Sequence, residues 1–195
     1  MPSYRSLPIT MIDTDVTYHK PSQAFKERVS LEDPAIEVMT DFTQVTAISV
    51  NPCANLEQAR ERMISSGVQM LFVTNQYHEV MGLITINDLN GTKPMQTLSE
   101  NGGKMEDIMV RDIMTPRLKL EALDFSEIQK SHVGDLLETL KRMGRQHALV
   151  VESDEASGKQ VIRGVLSTTQ LSKQLGYEVQ RSHMASSIAD MAQGG

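Results

Sequence analysis

The sequence predicts a mixed α/β (α+β) fold made of two similar units, each running strand, helix, strand, strand, helix. Amphipathic helical segments alternate with short apolar segments along the 195 residues, and the whole series occurs twice. A unit of this size cannot easily bury both faces of its own small sheet, whereas two units packed sheet to sheet can. We therefore expect two repeats, at 36–91 and 108–176, related by pseudo-twofold symmetry.

Each unit begins with a Met-Thr pair and an extended segment. The pairs Met39-Thr40 and Met114-Thr115 lie 75 positions apart. Extended segments are predicted at 44–50 and 118–125. In the second of these, apolar residues alternate with Lys119 and Glu121, which is the pattern of a half-buried strand.

A helix follows in each unit, with apolar residues on one face at the spacing of an α-helix. The apolar residues are Leu56, Ala59, Met63 and Ile64 in the first unit, and Val133, Leu136, Leu137, Leu140 and Met143 in the second. Each helix stops at a glycine, Gly67 or Gly144, as expected where a helix ends in the left-handed conformation.

Two strands and a short helix complete each unit. The strands are predicted at 69–74 and 80–85, and again at 146–152 and 160–167, and the closing helices carry Leu89 and Leu171. Outside the repeats we expect an N-terminal arm at 1–35 with one short helix at 22–29, a linker at 92–107, and a C-terminal helical tail at 177–195 with Met184, Ile188 and Met191 as its apolar stripe.

Composition and charge exclude several function classes. The net charge of −6 argues against a general nucleic-acid binder, so direct nucleic-acid binding is not expected. The single cysteine, Cys53, excludes an internal disulfide framework and fits a cytoplasmic location. No apolar run is long enough for a membrane helix, and residues 1–10 lack the apolar core of a secretory signal.

Neither a metal site nor a catalytic site is indicated. The five histidines show no paired metal-binding spacing, and the group Asp13, Asp15 and His19 lies in a polar stretch. Cys53 precedes a predicted helix, but no general base is identified near it. We therefore expect a protein that is not an enzyme and holds no metal.

These features together resemble a tandem pair of CBS domains (cystathionine beta-synthase domains), also called a Bateman module. The matching features are the two Met-Thr pairs, the helices that end in glycine, and the sequences Gly82-Leu83-Ile84-Thr85 and Gly164-Val165-Leu166-Ser167. The resemblance covers about two-thirds of the chain. It implies a regulatory homodimer that binds AMP, ADP, ATP or S-adenosylmethionine between the repeats and needs no resident cofactor.

The resemblance places the ligand site at Thr85 and Asp88, which would hold the two hydroxyls of a ribose. A carboxylate can accept both hydroxyls, because its oxygens are acceptors only. The same Thr-x-x-Asp spacing is also a capping box that stabilises a helix without any ligand, and spacing alone favours that interpretation. The second repeat has Ser167 and Gln170 at these positions, so we expect a degraded second site.

The resemblance also implies that the other repeat supplies the rest of the site. The adenine would lie near Thr115, Leu118 and the segment Gln146-His147-Ala148, largely against main-chain groups, and Arg145 with His147 would face a phosphate. A solvated arginine and a half-buried histidine remain the alternative. The alternative function is a ligand-free dimeric scaffold, and the effector protein that would respond to either form is not identified by the sequence.

Overall fold

The structure is a computed structural model that describes residues 9–11, 14–17, 21–144, 146–154 and 158–176. It contains two four-stranded sheets that face each other, with helices on their outer sides. The predicted α/β fold of two sheet-to-sheet repeats is confirmed. The predicted C-terminal helix at 177–195 lies outside the described residues, as does Arg145.

The elements follow the predicted order, with short strands added at the two Met-Thr pairs, one helix added in the linker, one just after it and one before the second long helix. The first half contains β1 (Met39–Asp41), β2 (Ser49–Val50), α1 (Leu56–Ser66), β3 (Met70–Thr74), β4 (Val80–Thr85), α2 (Ile86–Asn90), α3 (Lys93–Asn101) and α4 (Val110–Ile113). The second half contains β5 (Thr115–Pro116), β6 (Ala122–Asp124), α5 (Phe125–Lys130), α6 (Val133–Met143), β7 (His147–Ser153), β8 (Gln160–Ser167) and α7 (Thr168–Leu175).

The two repeats exchange their first strands. One sheet has the order β2-β3-β4-β5, so its edge strand comes from the second Met-Thr segment. The other has the order β1-β8-β7-β6, so its edge strand comes from the first. Both exchanged strands pair antiparallel with their neighbours, with Leu83 opposite Thr115 and Val165 opposite Thr40. Each sheet therefore contains main chain from both repeats.

A glycine makes each exchange sterically feasible. A Cβ atom added at Gly82 would lie 2.5 Å from the carbonyl oxygen of Thr115, and one added at Gly164 would lie 2.4 Å from the carbonyl oxygen of Thr40. Distances this short do not occur in real side chains, so the exchanged strand can approach only a residue without a side chain.

The strands alternate between two buried layers, because successive side chains of a strand point to opposite faces. In β3, Leu71 and Val73 pack in a core with α1, whereas Phe72 packs against the other sheet. In β7, Ala148 and Val150 pack in a core with α6, whereas Leu149 faces the other sheet.

The two long helices end at the predicted glycines. Asn55 and Gln58 form a capping box at the start of α1, and both Gly67 (φ 66°) and Gly144 (φ 61°) adopt the left-handed conformation at the helix ends. The predicted apolar face of α6 is buried. The apolar face predicted for α1 is wrong at Ile64, whose side chain is 72% exposed. The buried residues of this helix are Ala59 and Met63.

Both predicted extended segments are much shorter in the structure. Only Ser49–Val50 of 44–50 is a strand, since the main chain turns after Asp41. In 118–125, Arg117–Lys119 form a 3₁₀ turn after Pro116, the strand is limited to Ala122–Asp124, and α5 starts at Phe125 with Asp124 as its cap. The alternation over 118–122 therefore does not belong to one continuous strand.

Three residues of the segment 21–38 pack in the core of the second repeat. The buried residues are Val29, Ala35 and Val38, which lie beside α6 and α7. The short helix predicted at 22–29 does not form. The side-chain amide of Gln23 pairs with β1, donating to the carbonyl oxygen of Met39 (2.8 Å) and accepting from the N–H of Asp41 (2.7 Å). No helix in the described ranges is long and apolar enough to cross a membrane.

Candidate functional site

A crevice of about 220 Å³ lies between the two repeats where β4 ends and α2 begins. Its lining residues come from both halves of the chain: Leu83, Thr85, Asn87, Asp88, Thr115, Leu120, Glu121, Gln146, His147 and Leu149. Because the exchanged strand β5 runs beside β4, Thr115 is brought next to residues of the first repeat.

Asp88 is fixed at the crevice by a capping box with Thr85. Oδ2 of Asp88 accepts hydrogen bonds from the Thr85 N–H (2.8 Å) and from the Thr85 hydroxyl (2.7 Å). The Asp88 N–H donates in return to the Thr85 hydroxyl oxygen at 3.3 Å. The capping interpretation of the Thr-x-x-Asp spacing is thus confirmed, and Oδ2 has both of its acceptor positions occupied.

The other carboxylate oxygen of Asp88 is paired with Lys93, the first residue of α3. The Lys93 ammonium lies 2.6 Å from Oδ1 of Asp88, and it also donates to the carbonyl oxygen of Ile113 (3.1 Å) and toward the hydroxyl of Thr115 (3.5 Å). The Asp88 side chain is 13% exposed and that of Lys93 is 40% exposed. Lys93 therefore bridges two residues of the crevice lining that belong to different repeats.

A lone-pair count shows what Asp88 can still bind. A carboxylate offers about four acceptor positions. Two are used by Thr85 and one by Lys93, so a single position on Oδ1 remains for a ligand hydroxyl.

His147 and Gln146 line the crevice from the start of β7. Burial lowers the pKa of His147, and the negative charge of Asp88 partly opposes that shift. The imidazole is therefore neutral at physiological pH. Asn87 of the first repeat donates a side-chain hydrogen bond to Oε1 of Gln146, which joins the two repeats at the crevice.

The structure brings together most of the residues that the sequence proposed for the site. Thr85, Asp88, Thr115, Gln146 and His147 all line the crevice. Leu118 does not, since it is 93% exposed in the 3₁₀ turn. The side chain of Ala148 is buried in the core beneath the sheet, because it points to the opposite face of β7 from His147.

Sequence reasoning missed six residues of this site, two of which, Leu83 and Leu149, belong to the apolar layer between the two sheets. Asn87 lies inside the Thr-x-x-Asp motif itself, so its position next to Asp88 was the available signal. Leu120 and Glu121 fall in the segment predicted as a regular strand. Lys93 lies in the predicted linker, and its contact with Asp88 depends on the start of α3, for which no expectation existed.

The equivalent position of the second repeat is used differently. The Ser167 hydroxyl accepts from the Gln170 N–H at 3.5 Å, which is a long capping bond. The Gln170 amide donates to Oε1 of Gln174 (3.0 Å), and the buried Gln174 amide donates to the carbonyl oxygen of Lys26 (3.1 Å). Gln170 is thus part of a chain of hydrogen bonds that anchors the segment 21–38.

Within the described residues, no group of three or more His, Cys, Asp or Glu side chains has the arrangement of a metal site. Cys53 is exposed and accepts a hydrogen bond from Arg111 at 3.4 Å.

Comparison with known proteins identifies the fold and one of the repeats. The family model of the CBS domain matches residues 32–91. No curated protein matches the sequence significantly.

Solved structures with the same fold include an uncharacterized protein from Pyrococcus horikoshii, with 22% identity over 73% of this chain and 92% of that one (TM-score 0.50). CBSX2 from Arabidopsis thaliana, solved in complex with AMP, matches with 20% identity over 71% of this chain and 93% of that one (TM-score 0.50). The CBS domain of a bacterial CNNM/CorC family Mg²⁺ transporter, solved with the inhibitor IGN95a, matches with 18% identity over 75% and 78% (TM-score 0.50). Residues 32–91 therefore match the CBS domain, and the chain shares the fold of these solved structures.

Proposed function

We propose that this chain is a non-catalytic regulatory module that binds an adenosine nucleotide or an adenosyl compound in the crevice between its two repeats. The observation that carries the proposal is the position of Asp88, a carboxylate fixed at the edge of a crevice whose walls come from both repeats. Vicinal hydroxyls of a ribose suit such an acceptor. CBSX2 shares the fold and was solved with AMP, so AMP is the first ligand to test, followed by ADP, ATP and S-adenosylmethionine.

The regulatory effect would arise from contacts with both repeats. A ligand held by Asp88 of the first repeat would also touch Thr115 and His147 of the second. Such a ligand changes the relative packing of the repeats only if it binds one arrangement more tightly than another. The Asn87–Gln146 hydrogen bond lies at this junction, and its exchange for ligand contacts is one such difference.

The crevice in its present form is too small to enclose a nucleotide. Its volume of about 220 Å³ is below the roughly 300–1,000 Å³ of typical ligand sites. Part of the ligand would therefore remain outside the crevice, or the Asn87–Gln146 contact would open to admit it.

The test is a thermal-shift and calorimetric titration of the whole chain with the four compounds. A ligand present at a hundred times its Kd should raise Tm by about 5–10 °C in a protein of this size. Asp88→Asn should reduce the affinity, because the amide presents one acceptor oxygen instead of two. Gln170→Ala is the matched control and should leave binding unchanged, since Gln170 contacts Gln174 instead of the crevice.

A second candidate function is a homodimeric scaffold without ligand. It is favoured by the hydrogen bonds and the ion pair that the Asp88 carboxylate already makes within the chain. Three of its acceptor positions are already taken, and the capping box alone explains why Thr85 and Asp88 occur together. Sedimentation analysis showing a stable dimer, with no response to any of the four compounds, would select this function. Either function requires a separate effector protein.

A further inference from the structure

We propose that Lys93 sets the selectivity of the crevice by competing with the ligand's hydroxyls for Oδ1 of Asp88. This inference rests on the proposed function, since it concerns how the same carboxylate recognises a sugar. Lys93 does not line the crevice, yet its ammonium contacts Asp88 and Thr115, two residues that do.

Each of the three N–H donors of the Lys93 ammonium has an acceptor available. An ammonium has three N–H donors, and three acceptors surround this one: Oδ1 of Asp88 at 2.6 Å, the Ile113 carbonyl oxygen at 3.1 Å and the Thr115 hydroxyl at 3.5 Å. Two of these acceptors belong to the segment that leads from α4 into the exchanged strand β5. The contact therefore ties the first repeat's carboxylate to the second repeat's first strand.

Lys93 limits what Asp88 can recognise. While Lys93 is in place, one position on Oδ1 is free, so only one hydroxyl of a vicinal diol can be accepted. Both hydroxyls can bind only after Lys93 withdraws. The side chain is 40% exposed and has a flexible stem, so withdrawal into solvent is sterically open.

The test compares Lys93→Met and Lys93→Arg with the unaltered chain, using calorimetry with adenosine and 2′-deoxyadenosine. Neutral nucleosides avoid the direct charge effect that a phosphate would add. Lys93→Met keeps the unbranched stem and frees Oδ1, so adenosine should bind about fivefold more tightly, the size expected for an ion pair of this exposure. Lys93→Arg should bind adenosine more weakly, because the several N–H donors of a guanidinium can fill both acceptor positions of Oδ1.

The preference for adenosine over 2′-deoxyadenosine gives a readout that a purely structural role of Lys93 would not change. In the unaltered chain one hydroxyl suffices for the single free position, so the preference should be small. In Lys93→Met both hydroxyls have acceptors, so the preference should increase about threefold or more. Lys104→Met, at an exposed lysine of the same linker, is the control for loss of charge. It should change neither the affinity for adenosine nor the preference for adenosine over 2′-deoxyadenosine.

The outcomes separate this inference from the proposed function. If the unaltered chain binds AMP but Lys93→Met binds adenosine no more tightly, the competition by Lys93 is overturned and the proposed function stands. If the unaltered chain binds AMP and Lys93→Met binds adenosine more tightly than the unaltered chain does, both are supported. If Lys93→Met binds adenosine but the unaltered chain binds none of the compounds, the competition by Lys93 is supported and the proposed function is overturned. If neither protein binds any adenosine compound, both are overturned, since removal of Lys93 should have exposed the carboxylate.

Discussion

Arg163 of β8 and Asp41 of β1 form a bidentate ion pair, with Nε 2.9 Å from Oδ1 and Nη2 3.1 Å from Oδ2. The pair connects the exchanged strand of the first repeat to the sheet of the second. Arg163 also donates to Glu152 at 2.9 Å and lies 4.4 Å from the centre of the Phe125 ring. Asp41 additionally accepts from the N–H and hydroxyl of Thr43, so every oxygen of this largely buried carboxylate is paired.

We expect Asp41→Asn to destabilise the fold by about 1.5–3 kcal/mol, the range for hydrogen bonds to charged groups. The cause is the loss of the bidentate contact with Arg163, which leaves the exchanged strand β1 less firmly held. Urea unfolding at neutral pH measures the difference. Glu152→Gln is the control and should cost less than about 1 kcal/mol, because Glu152 is 45% exposed. Equal costs for the two variants would show that Asp41 is no more important than a surface charge.

The Asp41–Arg163 pair should also make stability depend on pH in the acidic range. The guanidinium of Arg163 and the hydrogen bonds from Thr43 hold the pKa of Asp41 well below its ordinary value. A lowered pKa in the folded state gives stability that is complete above the unfolded value of about 4 and is lost as the pH falls further. Unfolding free energies measured between pH 5 and about pH 2 should fall less steeply for Asp41→Asn than for the unaltered chain. Parallel curves would contradict this assignment.

The sequence predicted the repeat and its long elements because their signals are local. The strands β3, β4, β7 and β8 and the helices α1 and α6 each have their own hydrophobic period and their own glycine or turn. The exchange of β1 and β5 was not predictable in this way. Strand β5 has only two residues, and β1 pairs with a strand more than 120 positions later, so no local pattern identifies either partner.

The candidate site was predictable only as far as its motif extended. Thr85 and Asp88 follow from a pattern of four residues, and His147 follows from its place at the start of a strand. The predicted position of Leu118 failed because Pro116 precedes a 3₁₀ turn that breaks the alternation. The contact of Lys93 with Asp88 depends on where α3 begins after Gly91, which sequence periodicity does not fix.

Gln174 should be important for holding the segment 21–38 on the second repeat. Its buried amide donates to the Lys26 carbonyl oxygen, and its own main-chain carbonyl accepts from the N–H of Val29 at 3.1 Å. Gln174→Leu leaves the Lys26 carbonyl without this donor, so we expect a loss of about 1–3 kcal/mol. Hydrogen exchange should quicken in 21–30. Gln170→Ala removes only the hydrogen bond to Gln174 and should cost less stability. An equal loss for the two variants would show that the contacts of Gln174 are not what holds the segment 21–38.

Alanine should be poorly tolerated where a strand crosses between repeats. Gly82→Ala places a Cβ against the Thr115 carbonyl oxygen and Gly164→Ala places one against that of Thr40. Each should destabilise the fold by about 1–3 kcal/mol, the usual cost of overpacking, as measured by urea unfolding. Gly134→Ala in α6 is the control: its nearest atom lies 3.3 Å away, and the gain of about 1 kcal/mol from alanine in a helix offsets the contact. A similar cost at all three positions would mean that the strand exchange is not the reason.

Asp88 should control the protonation of His147 at the crevice. Burial lowers the pKa of His147 because the charged imidazolium is disfavoured, and the carboxylate of Asp88 raises it again in part. Asp88→Asn removes the opposing charge, so the pKa of His147 should fall further, as measured by NMR titration of its ring protons. Asp112→Asn is the control for loss of a carboxylate, since Asp112 is not among the residues that line the crevice, and should leave the pKa of His147 unchanged.

The same shift has a consequence for stability, because an unfolded histidine titrates near pH 6.5. With a lowered pKa in the folded state, the contribution of His147 is complete above about pH 6.5 and is lost as the pH falls below it. Asp88→Asn should extend this loss to lower pH, because the gap between the unfolded and folded pKa values widens. An unchanged pKa of His147 in Asp88→Asn would show that the carboxylate does not act on the imidazole, and would remove the electrostatic link between the two repeats at this crevice.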